Sequence, residues 1–111
     1  MKNLPEDGMV VPTACLVEIL YLLGNAGGRP LQRKLWTMVD SGVLQLRSET
    51  KGDCIKAAFL METYADVPMD FADGIVVATA DALNVNTVFT IDPHFYAYRR
   101  LSGDAFTVIL G

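Results

Sequence analysis

The sequence predicts an α/β domain, a three-layer sandwich with a mostly parallel sheet between helices. Short apolar runs rich in β-branched residues alternate with longer segments in which apolar residues recur at helical spacing. The chain has 111 residues, 51% of them hydrophobic, and it contains no repeat or long linker. This length and composition are typical of one compact domain, so a single domain is expected over residues 1–111.

The first half of the chain predicts one strand and two helices. MVVP at residues 9–12 predicts the end of a strand, and Thr13 then starts a helix that stops at AGG. A second helix begins at Pro30, which is tolerated in a first turn, and ends at Gly42. The apolar residues of this second helix share one face, so it is expected to be amphipathic.

The second half continues the alternation. In chain order, the predicted elements are a strand at 43–47, a helix at 53–66, a helix from Phe71 to Leu83, a strand at 86–91, a short helical turn or loop at 93–101 and a last strand at 106–110. Asp70 precedes the helix that begins at Phe71, and Asp73 follows three residues later, which is a capping arrangement. Strands that alternate with helices favour parallel pairing.

Charge and composition restrict the class of function. The net charge of -4 argues against broad attraction to nucleic acid, so such contact would depend on a local basic patch or a bound cation. No apolar run has membrane-spanning length and no signal peptide is recognised, so a cytoplasmic protein without membrane contact is expected. Cys15 and Cys54 lie in apolar helical patterns without CxxC spacing, which favours buried thiols over a disulfide or metal ligands.

Three acidic residues from separate predicted elements point to one edge of the sheet. Glu18 lies in the helix after MVVP, Asp73 lies above the apolar face of its helix, and Asp92 follows the strand residues VFTI. Since ligands bind at the carboxyl ends of parallel strands, these carboxylates are expected to converge there. Structural roles stay open for Glu18 in a solvent-facing stripe, for Asp92 in an Asp-Pro turn and for Asp70 as an N-cap.

Converging carboxylates predict a bound cation. They repel one another unless a positive ion lies between them, and magnesium and manganese prefer such oxygen ligands. An ion of this kind assists phosphodiester hydrolysis by polarising the phosphate and helping to form hydroxide. No protein nucleophile is needed for that chemistry, so His94 is interpreted as a surface loop residue, with a proton-shuttling role as the alternative.

The chain resembles the later part of a PIN domain, the fold of many metal-dependent ribonucleases, including toxins of bacterial toxin–antitoxin pairs. The resemblance spans about residues 9 to 110 and rests on VVPTACLVEILYLLG, DFADGIVVATADAL, TVFTIDPHFYAYRRL and the terminal FTVI, in this order and spacing. It implies that Glu18, Asp73 and Asp92 bind magnesium or manganese and position water for attack on RNA. Thr90 matches a hydroxyl position beside the last acid, which implies a supporting role around the metal.

The segment before the matching region differs from the PIN pattern. A PIN domain usually begins with a central strand that ends in an aspartate, whereas only MKNLPEDGM precedes the match here. Neither Glu6 nor Asp7 follows an apolar strand pattern, so neither is assigned as that acid. An amino-terminally truncated PIN-like fold is therefore expected, with activity impaired by the missing aspartate and an open strand edge that favours a homodimer.

The leading interpretation is a magnesium- or manganese-dependent ribonuclease, a candidate toxin with an antitoxin protein as its partner. Glu18, Asp73 and Asp92 are its expected ligands and catalytic residues, with Asp70 and Thr90 in support. Arg99 and Arg100, in the loop after Asp92, are candidates for contact with RNA phosphate, although an exposed basic pair is also typical of a solvated surface. The alternative is a non-catalytic PIN-like interaction module that dimerises or binds a partner protein.

Overall fold

The computed structural model describes residues 8–90 and 97–110. Its elements, in chain order, are β1 (Met9–Pro12), α1 (Thr13–Asp40), β2 (Leu44–Arg47), α2 (Lys51–Thr63), α3 (Phe71–Leu83), β3 (Thr87–Thr90) and β4 (Thr107–Leu110). Every strand and every long helix that the sequence predicts is found. The chain divides into two compact units, Met1–Glu49 and Thr50–Gly111.

The first unit is built from β1, α1 and β2. The two strands pair in parallel, from Met9 opposite Leu44 to Pro12 opposite Arg47. Its core consists of three buried residues, Val11, Leu35 and Leu44, against which partly buried side chains of α1 pack. Both strands and the connecting helix thus contribute to a common apolar core, as expected for a βαβ connection.

Helix α1 is interrupted at Gly28. This glycine has φ 66° and ψ -154°, a conformation outside the helical region that a residue with a side chain rarely adopts. Pro30 follows in the first turn of the continued helix, where its lack of a backbone N–H is tolerated. The interruption separates the two helices that the sequence predicts, which follow each other without an intervening loop.

In the second unit, α2 and α3 pack at close range. A Cβ atom built on Gly74 would lie 3.0 Å from Cβ of Ala57, so the absence of a side chain permits this approach. Strands β3 and β4 pair in parallel, from Thr87 opposite Thr107 to Thr90 opposite Leu110. The core of this unit is a cluster of buried side chains, Leu60, Met69, Val77, Ala80, Tyr98 and Phe106.

The α/β class and the parallel strand pairing are confirmed. In residues 8–90 and 97–110 the strands form two separate two-stranded sheets, so the three-layer arrangement and the open amino-terminal edge stay predictions. Cys15 and Cys54 are reduced thiols and each is half-buried. In the same ranges, none of the helices has the length and apolar character needed to cross a membrane.

Candidate functional site

Asp70 and Asp73 meet at the start of α3 in a reciprocal capping arrangement. The backbone N–H of Asp73 donates to Oδ1 of Asp70 at 2.9 Å, and the N–H of Asp70 donates to Oδ2 of Asp73 at 3.1 Å. The predicted N-cap role of Asp70 is therefore confirmed. These bonds satisfy two backbone donors and hold both carboxylates at the positive end of the helix dipole.

The same two carboxylates line a cleft of about 600 Å³ in the second unit. The cleft lies between the end of α2, the α2–α3 connection and the first turn of α3. Its lining residues are Met61, Glu62, Tyr64, Ala65, Pro68, Met69, Asp70 and Asp73. Asp73 is half-buried there, whereas Asp70 is exposed. Carboxylate oxygens are the donors that hard divalent cations prefer, so Asp70 and Asp73 are chemically suited to such an ion.

Two tyrosines, Tyr64 and Tyr98, form contacts between the cleft and the segment that begins at residue 97. The rings of Tyr64 and Tyr98 pack edge to face, with centroids 5.2 Å apart and planes at 68°. The Tyr64 hydroxyl accepts from the N–H of Arg99 at 2.9 Å, and the hydroxyl of the fully buried Tyr98 donates to the carbonyl of Pro68. The segment that leads into Asp70 is thereby fixed against the buried core.

In the first unit, Glu18 is exposed about a turn and a half after the start of α1. Strand β1 passes directly into this helix, so Glu18 lies shortly after the carboxyl end of a parallel strand. The start of α1 is held by Glu49, which accepts from Thr13 Oγ1 at 2.6 Å and from the N–H of Ala14 at 2.8 Å. A carboxylate at this position stabilises the helix start. No local sequence signal indicates this contact, because the partners are 35 and 36 residues apart.

The remaining predicted ligand, Asp92, lies outside the described residues, as does His94. Thr90, the last described residue of β3, is paired with Leu110, and Asp92 follows it by two positions in the sequence. Within the described ranges, no group of three His, Cys, Asp or Glu side chains is placed to hold a metal ion. The structure thus brings Asp70 and Asp73 together, and the convergence of Glu18, Asp73 and Asp92 stays a prediction.

Arg100 differs from its expected role as an exposed phosphate contact. Its side chain is only 8% exposed, and Nε lies 2.8 Å from Oδ1 of the equally buried Asp81. Nη1 donates to Oδ1 of Asn84 at 3.1 Å and to Oδ1 of Asn86 at 2.9 Å. The second oxygen of Asp81 accepts from the N–H of Leu101 at 3.1 Å. The prediction of RNA contact by Arg100 is therefore corrected, because its guanidinium is buried and bonded within the protein.

Arg99, the other member of the basic pair, is exposed. Its Nη1 donates to the carbonyl of Tyr98 at 2.9 Å, and its backbone forms an antiparallel bridge with Ala105. The two neighbouring arginines therefore point to different environments, one to solvent and one to the interior. Only Arg99 stays a candidate for contact with RNA.

The chain is similar to a ribonuclease along most of its length. No protein-family model matches the sequence. The chain is 29% identical over 104 residues to Ribonuclease VapC26 of Mycobacterium tuberculosis (strain ATCC 25618 / H37Rv), and the aligned region covers 93% of this chain and 77% of that protein. A region of that size in 111 residues necessarily includes Glu18, Asp73 and Asp92. The site residues thus lie within a region that is similar to a protein named as a ribonuclease.

Proposed function

We propose that this chain is a PIN-like, magnesium- or manganese-dependent ribonuclease that hydrolyses RNA phosphodiester bonds. The similarity to Ribonuclease VapC26 carries the proposal, because it extends over 93% of the chain and agrees with the activity that the PIN resemblance implies. Toxin activity, with an antitoxin protein as partner, belongs to the same proposal.

Glu18, Asp73 and Asp92 are the proposed metal ligands, with Asp70 and Thr90 in support. The oxygen-only donor set suits magnesium or manganese, which retain water and bind a few carboxylates. When bound, such an ion supplies charge stabilisation at the phosphate and an activated water. The reciprocal bonds between Asp70 and Asp73 support this assignment, because they restrict how the Asp73 carboxylate is oriented.

Arg99 is proposed to contact the RNA backbone, since it is the exposed member of the basic pair. A guanidinium can bind phosphate through two parallel hydrogen bonds. The proposal no longer includes Arg100, whose contacts with Asp81, Asn84 and Asn86 are structural.

A specific observation favours a second function, binding to a partner protein or to a second copy. Large apolar side chains are exposed on α1, where Val17 and Tyr21 are 69% and 71% exposed. Ile55 and Phe59, one turn apart on α2, are also exposed. Exposed apolar groups of this kind are typical of interaction surfaces. Homodimerisation and antitoxin binding are both compatible with a ribonuclease. A non-catalytic interaction module would use the same exposed side chains.

The ribonuclease proposal is tested by RNA cleavage with magnesium, manganese or EDTA. Cleavage is expected with either metal, and Glu18→Gln, Asp73→Asn and Asp92→Asn should each reduce its rate by about a hundredfold, the order expected when a positioned reactant is displaced. Asp66→Asn is the matched control, because Asp66 is an exposed acid on the α2–α3 connection that does not line the cleft.

Circular dichroism of each variant would show that its helices are retained. Cleavage that persists in EDTA, or that all three variants leave unchanged, would contradict the proposed site. Absence of cleavage together with a stable dimer would favour the non-catalytic module.

A further inference from the structure

The helix that resumes after Gly28 carries a basic and aromatic outer surface, here called the Arg–Trp patch. It consists of four exposed residues, Arg29, Arg33, Lys34 and Trp36. At 100° per residue, Arg29, Arg33 and Trp36 lie within about 60° of one another on one face, and Lys34 lies on the side of the helix, about 100° from Arg33. The opposite face is the one that the core uses, since Leu35 is only 5% exposed and Met38 and Val39 pack against the same cluster.

The patch has a charge opposite to that of the whole protein. Its three cations lie in a 21-residue stretch, 19–39, that contains no Asp or Glu, in a chain whose net charge is -4. No hydrogen bond or ion pair joins the side chains of Arg29, Arg33 or Lys34 to any residue in 8–90 or 97–110. Ion pairing with the part of the chain that the structure describes therefore does not account for these charges.

Helix stability does not account for these charges either. Cations are favourable near a helix C-terminus, whereas Arg29 lies at the start of the resumed helix and Asp40 lies at its end. Both charges oppose the helix dipole. Trp36 adds a second unfavourable feature, because the only tryptophan of the chain is 45% exposed. Local features that oppose stability are expected where binding requires them.

We propose that the Arg–Trp patch binds single-stranded RNA and forms a second contact for the substrate, outside the acidic site. This inference deepens the ribonuclease proposal and rests on it. Arg29 and Arg33 are one turn apart, about 6 Å along the axis, so they can reach successive phosphates of one strand. Trp36 offers an exposed ring on which an unpaired base stacks. A paired base cannot stack in this way, so the patch selects single strands or loops.

The test uses Trp36 as an intrinsic reporter, since no other tryptophan contributes to the fluorescence. The full chain in EDTA is titrated with a single-stranded RNA 12-mer, and quenching of Trp36 is expected. Arg29→Ala with Arg33→Ala should raise Kd by about tenfold and reduce the slope of log K against log salt by about 1.4, that is, about 0.7 for each phosphate contact. Trp36→Ala removes the reporter, so its binding is measured by the anisotropy of labelled RNA. This variant should raise Kd by about fivefold or more.

Lys51→Ala with Lys56→Ala is the matched control, because it removes two exposed charges from α2. It should change Kd by less than about twofold if binding is local to the patch. Equal effects of the two double variants would overturn the proposal, as would unchanged Trp36 fluorescence. A fully paired RNA 12-mer that competes equally well would overturn the stacking contact. If the first double variant loses helix content, Arg29→Gln with Arg33→Gln replaces it.

The two proposals fail in different ways. Binding in EDTA does not depend on the acidic site, so Asp73→Asn should leave Trp36 quenching unchanged. Metal-dependent cleavage with no contribution from the patch would overturn this inference and leave the ribonuclease proposal intact. Binding at the patch without cleavage in magnesium or manganese would overturn the ribonuclease proposal instead.

Discussion

Replacing Arg100 with alanine should lower the free energy of unfolding by about 3–5 kcal/mol, the range for breaking a buried ion pair. Arg100 and Asp81 are 8% and 9% exposed, and their charged groups are 2.8 Å apart. Truncation of Arg100 would leave a buried carboxylate without its cation, and Asn84 and Asn86 would each lose a donor. Three separate hydrogen bonds to a charged group would sum to about 4.5–9 kcal/mol, but such losses are not additive.

This loss is large relative to the stability of a small domain, which is typically about 5–15 kcal/mol. Urea denaturation followed by circular dichroism would measure it. Arg100→Lys should be intermediate, because a single ammonium retains the charge but cannot reproduce the directional contacts of the guanidinium. Arg99→Ala is the matched control, and its effect should be below about 0.5 kcal/mol because Arg99 is exposed.

RNA cleavage separates the two arginines further. Arg99→Ala should raise KM for RNA without loss of stability, whereas the activity of Arg100→Ala should fall only in proportion to the unfolded fraction. A loss below about 1 kcal/mol in Arg100→Ala would refute the argument from burial. A raised KM in a fully folded Arg100→Ala protein would restore the original expectation that Arg100 contacts RNA.

Two further substitutions test local packing and helix capping. Gly74→Ala should destabilise the fold by about 1–2 kcal/mol, because the new Cβ would lie 3.0–3.2 Å from Ala57 atoms, including backbone. Gly52→Ala is the comparison, because its new Cβ would have its nearest contact at 3.6 Å, and it should stabilise the fold by up to about 1 kcal/mol. Thermal denaturation would measure both variants, and a change in Tm of the same sign in both would contradict the packing account. Glu49→Gln should cost about 0.5–1.5 kcal/mol, since it removes a charge that accepts from Thr13 and Ala14. An unchanged urea midpoint, equal to that of a Ser48→Ala control, would show that Glu49 does not stabilise α1.

The elements that depend on local signals are predicted well from the sequence. Helix α3 runs from Phe71 to Leu83 as expected, because an apolar periodic segment and an N-cap acid agree at Asp70. The interruption at Gly28 is also readable, since glycine and the nearby Pro30 each oppose a continuous helix. In these segments, short-range preferences and packing favour the same conformation.

Long-range contacts account for what the sequence does not reveal. The burial of Arg100 depends on Asp81, 19 residues earlier, and Glu49 meets Thr13 across 36 residues. The sequence spacing of neither pair distinguishes its members from polar residues exposed to solvent. The adjacent arginines look equivalent in the sequence, but Arg100 is bonded to Asp81, Asn84 and Asn86 whereas Arg99 is exposed. Polar residues at long sequence separation are therefore the least predictable part of the site.

Asp73 takes part in the cap of α3 and is also a proposed metal ligand, and substitution can separate the two roles. Its Oδ2 accepts from the N–H of Asp70, and an asparagine oxygen can replace that acceptor. Asp73→Asn should therefore cost less than about 1 kcal/mol in EDTA, since lost attraction to the helix dipole is offset by reduced repulsion from Asp70. In manganese at 100 times Kd, the wild-type chain should gain about 2.7 kcal/mol from binding, and the variant should lose most of that gain. The measurement is the manganese-dependent shift in Tm, with Asp66→Asn as control. An equal shift in all three proteins would show that Asp73 caps the helix without binding the metal.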